Sequence, residues 1–180
     1  KEEIDFNSLV QKTCYGLEEI LNQKGITYDF NFPKETLKTL GDFDRLTQVV
    51  LNILSNAIKF CYDENGKINL SLEKENKMIT LKVTDNGDGI KLENQQLIFE
   101  KFTQLSSRKL GKPKGSGLGL FICKEILRQH NGEIFVESEE GATFIIKIPS
   151  LKPQMRVCQM YSNELAVQVF KTINLLLFED

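Results

Sequence analysis

Apolar and polar positions along this chain recur with two different periods, and the switches between them lay out its elements. From Asp5, which stands where a helix N-cap would, Leu9, Val10, Leu17, Ile20 and Leu21 recur at helical spacing, and Gly25 follows, so one helix is expected there. Ile26 to Phe32 alternates at period two, a strand closed by Pro33. A polar connection then leads to the longest periodic stretch, Asp42 to Cys61, where Phe43, Leu46, Val50, Ile53, Ala57 and Cys61 make one apolar stripe. Lys67 to Leu72 and Met78 to Thr84 alternate again and read as a hairpin. A short amphipathic segment, Asn94 to Phe102, precedes a loop from Ser106 to Gly117 that is rich in Ser, Lys and Gly. Leu118 to Gln129 returns to helical period, and Ile134 to Ser138 with Thr143 to Ile148 predicts a last hairpin, ended by Pro149. Hairpins interspersed with helices predict an α+β fold, a two-layer sandwich whose mostly antiparallel sheet is covered on one face by three long helices.

The composition narrows the partners. The chain has 180 residues, of which 41% are hydrophobic, enough for one core with appendages. A net charge of −2 gives no electrostatic footprint for nucleic acid or an anionic membrane surface. No apolar run is long enough to span a bilayer, and the charged opening Lys-Glu-Glu-Ile-Asp is no signal peptide and looks like a cut from a longer chain. Cys14, Cys61, Cys123 and Cys158 are widely spaced, which points away from zinc or disulfides and towards a reducing cytosol.

Chemistry concentrates in three places. Opposite the apolar stripe of the long helix, Asn52, Asn56 and Lys59 stack on one face. That pattern suits a solvated polar face. It also suits a triphosphate–metal site, in which an amide oxygen is one ligand of Mg²⁺ and a lysine meets phosphate oxygens. Asp85-Asn-Gly-Asp-Gly89 puts an acid at a strand end, where it could serve as a turn or accept a hydrogen bond from an adenine amine. Gly115-Ser-Gly-Leu-Gly-Leu120 opens a helix, either as a hinge or as a phosphate cradle of backbone amides.

In this order and spacing, the motifs resemble the catalytic, ATP-binding domain of sensor histidine kinases, within the ATPase superfamily that includes DNA gyrase and the mismatch-repair ATPases. Asn52 to Phe60 is similar to the family's asparagine box, Asp85 to Ile90 to its first glycine box, Phe99-Glu-Lys-Phe102 to its phenylalanine box and Gly115 to Ile122 to its second glycine box. The resemblance covers about residues 5 to 149. It implies that Asn56 holds Mg²⁺ while Asn52 and Lys59 contact the phosphates of ATP, these three carrying the chemistry. It also implies that Phe60 lies against the nucleotide, that Asp85 reads the adenine amine, and that Gly87, Gly89 and Ile90 shape the base pocket. Gly115, Ser116, Gly117, Leu118, Gly119 and Leu120 would hold the phosphates and close a lid spanning Thr103 to Ser116. Phe99 and Phe102 would tether that lid or simply pack, and Thr143 would be a further adenine contact.

Three departures stand beside the resemblance. Gln104 occupies a place where many members carry a basic residue, which Arg108, Lys109, Lys112 or Lys114 could replace. The last glycine motif is shortened to Gly141-Ala-Thr-Phe144. The phosphoacceptor histidine of the family lies on an upstream helical hairpin that this chain lacks, and its single histidine, His130, reads as a cap or packing residue at a helix end. The implied function is transfer of the γ-phosphoryl of Mg·ATP to a histidine on a separate dimerisation domain. A response regulator would be the further partner, in a homodimeric, cytoplasmic or membrane-anchored two-component protein. The alternatives are a degenerate nucleotide-binding or scaffold module and, from another class, a gyrase-like clamp. Residues 1–150 would form this domain and 151–180 an extension, with Leu165, Val169, Ile173 and Leu176 at near-helical spacing. Its end, Leu175 to Asp180, also has the look of the first strand of a receiver domain.

Overall fold

A computed structural model of the chain describes residues 1–104 and 116–151. Strand β1 (Glu2–Asp5) leads into helix α1 (Phe6–Tyr15), and the side chain of Asp5 accepts from the Ser8 N–H as its N-cap. The single helix expected up to Gly25 is broken: α1 stops at Gly16, and a separate short helix α2 (Glu18–Gln23) follows. Strands β2 (Thr27–Asn31) and β3 (Lys38–Gly41) precede helix α3 (Phe43–Phe60), capped by the Asp42 carboxylate accepting from the Arg45 N–H at 3.0 Å. The hairpin β4 (Lys67–Glu75) and β5 (Met78–Asp85) comes next, then two 3₁₀ turns, Leu92–Asn94 and Leu97–Phe99, where an amphipathic segment was expected. Helix α4 (Gly119–Gln129) and the hairpin β6 (Glu133–Glu137) and β7 (Ala142–Pro149) complete the described elements.

The main sheet has the order β2-β4-β5-β7-β6. Its β2–β4 pair is parallel and the other three pairs are antiparallel. Alternation along the strands sends Ile68, Leu70, Ile79, Leu81, Val83, Phe144, Ile146 and Ile148 to one buried face. Against that face lie Leu46, Val49, Val50, Ile53, Leu54 and Ala57 of α3, flanked by α1 and α4. This is the expected two-layer sandwich. Phe43, assigned to the apolar stripe, is instead 40% exposed, because the first turn of α3 precedes the start of the core.

A second, two-stranded sheet of β1 and β3 was not anticipated from the sequence. It is fastened to the main sheet through Thr39, whose hydroxyl donates to the Pro149 carbonyl, and through the Leu151 N–H, which donates to the Lys38 carbonyl at 2.7 Å.

His130 joins the two helices that matter for the site. Its ring is buried, and Nε2 accepts from the backbone N–H of Asp42 at 3.0 Å while Nδ1 meets the Ile126 carbonyl at 2.7 Å. Because Nε2 is the acceptor, the ring proton sits on Nδ1 and donates to Ile126. The histidine thereby ties the C-terminus of α4 to the N-terminus of α3, a packing role. Replacing it with alanine leaves the part-buried Asp42 N–H without its partner and opens a void. We expect His130→Ala to lose about 2–3 kcal/mol of unfolding free energy in urea titration; an unchanged midpoint would exclude this role.

Candidate active site

The site is assembled along α3. Asn52, Asn56 and Lys59 are part-buried on the side turned away from the core, and Phe60 ends the helix 44% exposed. Lys59 Nζ stands 5.1 Å from the centre of the Phe60 ring. Asn52 and Phe60 are eight residues apart, about 12 Å along a helix axis. Asn56 and Lys59 fall between them.

At the Phe60 end the loop after β5 closes onto α3. Asp85, the last residue of β5, is only 2% exposed, and its Oδ1 accepts from the Gly87 N–H at 2.9 Å. A β-carbon on Gly87 would stand 2.2 Å from the Phe60 carbonyl oxygen, so only glycine lets this loop reach the helix. Asn86 fastens the loop sideways. Its Oδ1 accepts from the Lys67 N–H at 2.8 Å and its Nδ2 donates to the Asn65 carbonyl at 2.9 Å, binding the loop to the turn between α3 and β4. On the other side the β6–β7 turn presses in. Gly141, at φ +85°, leaves room for the Asp85 carbonyl, which a β-carbon would meet at 1.9 Å. Ser138 accepts from the Ile90 N–H at 2.7 Å and donates to the Gly141 carbonyl at 2.6 Å. Asn86, Ser138 and Gly141 were not among the residues expected to build the pocket. Their roles depend on partners 19 and 21 positions away for Asn86 and on the sheet register for the other two, and no local spacing carries that.

At the Asn52 end stands the start of α4. The Asn52 amide lies 3.5 Å from the Gly119 carbonyl and 3.6 Å from Cys123 Sγ. The first turn of α4 has no side-chain cap on its N-cap residue, Leu118, although the Leu118 N–H reaches Ser116 Oγ at 3.3 Å. Backbone amides opening an eleven-residue helix carry the positive end of its dipole, here beside Asn52. The preceding turn is clamped onto this helix. Phe102 N–H donates to the Gly117 carbonyl at 3.0 Å, Lys124 pairs with Glu100 at 3.1 Å, and Lys101 Nζ sits 4.9 Å from the Phe121 ring centre.

The expected site residues thus divide. Asn52, Asn56, Lys59, Phe60, Asp85, Gly87, Gly89, Ile90, Gly117, Leu118, Gly119 and Leu120 all lie on α3 or on the two segments that abut it, with Ser116 at their edge. Phe99 is buried in the core, whereas Phe102 has its side chain 70% exposed at φ +63°. Thr143 is set apart. It pairs in register with Thr84, and the two hydroxyls lie 3.0 Å apart on the sheet face opposite the Asp85 side chain. Ala142, not Thr143, is the cross-strand partner of Asp85. Period-two alternation is the reason, since one step along β7 reverses the side-chain direction. Gly115, with Arg108, Lys109, Lys112 and Lys114 and most of the expected lid, lies outside the described residues, as does the extension from 152 onward. Gln104 is exposed.

Two buried thiols, Cys14 and Cys123, are poor nucleophiles. Burial pushes the Cys123 thiol up to about 11, partly offset by its contact with Asn52, and burial with the nearby Glu18 pushes Cys14 up to about 12. Among the described residues no group of His, Cys, Asp and Glu side chains could hold a metal ion. The neutral amide oxygens on this helix face could give a divalent ion one protein ligand, with phosphate and water supplying the others, a donor set that suits Mg²⁺.

Residues 41–152 match the model of the histidine kinase-, DNA gyrase B- and HSP90-like ATPase family. The chain belongs to this family. Its relatives include the sensor protein EvgS of Escherichia coli (strain K12), 36% identical over 153 residues that make up 81% of this chain and 12% of EvgS. The sensor protein kinase WalK of Staphylococcus aureus is 35% identical over 142 residues, 78% of this chain and 34% of WalK. The chain therefore spans a small part of these curated relatives. The catalytic domain of the histidine kinase ThkA superposes with a TM-score of 0.72 at 33% identity, covering 82% of this chain and 95% of that domain. ThkA has also been solved in complex with the response regulator protein TrrA, where the match has a TM-score of 0.68 at 31% identity over 86% of this chain and 42% of that one. The chain is thus a histidine-kinase-type ATPase domain, homologous to those of sensor kinases, with the mostly antiparallel sheet of their catalytic domains. ATP is the nucleotide of the family.

Because Gly87 touches the Phe60 carbonyl, Gly87→Ala should force the loop away from α3 in this ATPase domain. We expect ATP binding, read by calorimetry, to fall at least about tenfold while the far-ultraviolet dichroism of the domain persists. Wild-type affinity in that variant would show that the close approach is dispensable.

Proposed function

We propose that this chain binds Mg·ATP in the trough along α3 and transfers its γ-phosphoryl to a histidine carried by a separate dimerisation domain. The observation that carries this reading is the convergence on one helix face of Asn52, Asn56 and Lys59, between the Asp85 loop at one end and the amides opening α4 at the other. Asp85 accepts a hydrogen bond from the adenine amine, with Gly87, Gly89 and Ile90 forming the pocket wall and Phe60 lying against the base. Lys59 and Asn52 meet phosphate oxygens, as do the backbone amides of Gly117 to Leu120. Asn56 provides the protein oxygen for Mg²⁺, which when bound neutralises charge on the phosphates.

In the transfer, the bond between the γ-phosphorus and the bridging oxygen of ADP breaks and a bond to an imidazole nitrogen of the acceptor forms. Positioning and charge neutralisation supply most of the rate, as in phosphoryl transfer generally. His130 is not that acceptor, because both of its ring nitrogens are engaged inside the fold. The response regulator found with ThkA supports a similar partner for the whole protein, which we read as a homodimeric two-component kinase. No helix among the described residues is long and apolar enough to cross a membrane.

A second reading, a nucleotide-binding module without transfer activity, is favoured by two observations. Gln104 stands where many members have a basic residue, and Thr143 faces away from the base pocket. Mixing the chain with a histidine-bearing dimerisation fragment and radiolabelled ATP separates the two: labelled fragment supports the kinase, and ATP binding without label supports the module.

Two substitutions test the assignments inside the trough. Asn56→Ala should remove the Mg²⁺ dependence of ATP affinity and lower that affinity about tenfold or more. Equal affinity with and without the substitution refutes the metal role. Asp85→Ala should weaken ATP about 10- to 100-fold and erase preference over GTP, because a buried amine loses its acceptor. If the wild-type domain binds ATP and GTP alike, Asp85 does not read the base.

A further inference from the structure

We infer that Ser138 is a positioning residue for base recognition, an inference that rests on Asp85 reading the adenine amine. Its hydroxyl has one proton to give and lone pairs to accept with, and both capacities are used between two different segments. It accepts from the Ile90 N–H at 2.7 Å and donates to the Gly141 carbonyl at 2.6 Å. Ile90 ends the loop that starts at Asp85, and Gly141 is the residue packed directly on the Asp85 backbone carbonyl. One hydroxyl therefore closes a ring that runs from Asp85 through the loop to Ile90, across Ser138 to Gly141, and back to Asp85.

The loop has a fixed point at each end. Asn86 holds the near end to the turn before β4, and Ser138 holds the far end to the β6–β7 turn. Between them lie Gly87, whose N–H orients the Asp85 carboxylate, and Gly89, where a β-carbon would come within 2.5 Å of the Ser138 hydroxyl. Among the described residues, a further side-chain bond at the far end runs from Gln95 Nε2 to the Ile90 carbonyl at 3.2 Å. Removing the Ser138 hydroxyl would free the Ile90 end of the loop without adding volume. The orientation of the Asp85 carboxylate through Gly87 would then be less defined.

Ser138→Ala removes both bonds, and Ser138→Thr keeps a hydroxyl. Calorimetry with Mg·ATP and with Mg·GTP, alongside thermal unfolding, reads the effect. A positioning role predicts that Ser138→Ala weakens ATP about tenfold while leaving GTP within about twofold, so that preference shrinks, and that Ser138→Thr restores most of it. In the Asp85→Ala background, Ser138→Ala should cost less than about a further twofold, because the two act on one contact. The inference is overturned if Ser138→Ala lowers the melting temperature but keeps the preference, or weakens both nucleotides equally, while Asp85→Ala abolishes it. If Asp85→Ala itself leaves the preference intact, the base-reading role of Asp85 falls, and this inference with it.

Discussion

The carbonyl oxygen of Phe60 stands 2.2 Å from where a β-carbon on Gly87 would be, and this near-contact fixes how the helical layer meets the sheet at the site. β5 delivers Asp85 to the last turn of α3, and the missing side chain at Gly87 lets backbone lie on backbone there. The same loop is held by Asn86 from below and by the β6–β7 turn from above. Each of these contacts has a main-chain group on at least one side, so the pocket follows backbone paths that the Asn86 and Ser138 side chains fasten.

The helix that receives this loop serves two demands at once. Its buried side, Leu46, Val49, Val50, Ile53, Leu54 and Ala57, removes enough apolar surface to contribute on the order of 10 kcal/mol towards holding α3 on the sheet. Against that, placing Asn52 and Asn56 in mid-helix costs about half a kilocalorie per mole each in intrinsic propensity. Burial on one face therefore outweighs the penalty on the other by roughly tenfold. The fold tolerates polar side chains facing the trough because its stability is secured elsewhere along the same helix.

What the sequence made legible follows from this division. The amphipathic period of α3, the two hairpins and the Asp85–Gly89 turn are local patterns, and each stands where its pattern put it. Features that depend on distant partners were not readable. β1 and β3 are four-residue strands, too short for alternation to declare itself, and each is defined by the other across more than thirty positions. The break at Gly16 falls inside a run whose apolar spacing continues through it. Thr143 shows the limit most clearly. Its place in the motif suggested the pocket, yet the side it faces depends on the register of β7 against β5, and a one-residue step decides that. Ser138 was missed for the converse reason: nothing local distinguishes it, and its two partners lie on other segments.

The side chains along the trough also constrain how a nucleotide can be held. Asn52 and Asn56 are neutral, Lys59 is a cation beside them, and the start of α4 offers dipoles rather than formal charge. A triphosphate carries more negative charge than Lys59 and a helix terminus offset. On the proposed reading, the divalent ion bound with the nucleotide supplies part of that offset and is part of what this face recognises. An amide at position 56 suits that arrangement better than a carboxylate would, because a neutral oxygen can complete the coordination of an ion already bound to phosphate without adding a further negative charge beside it.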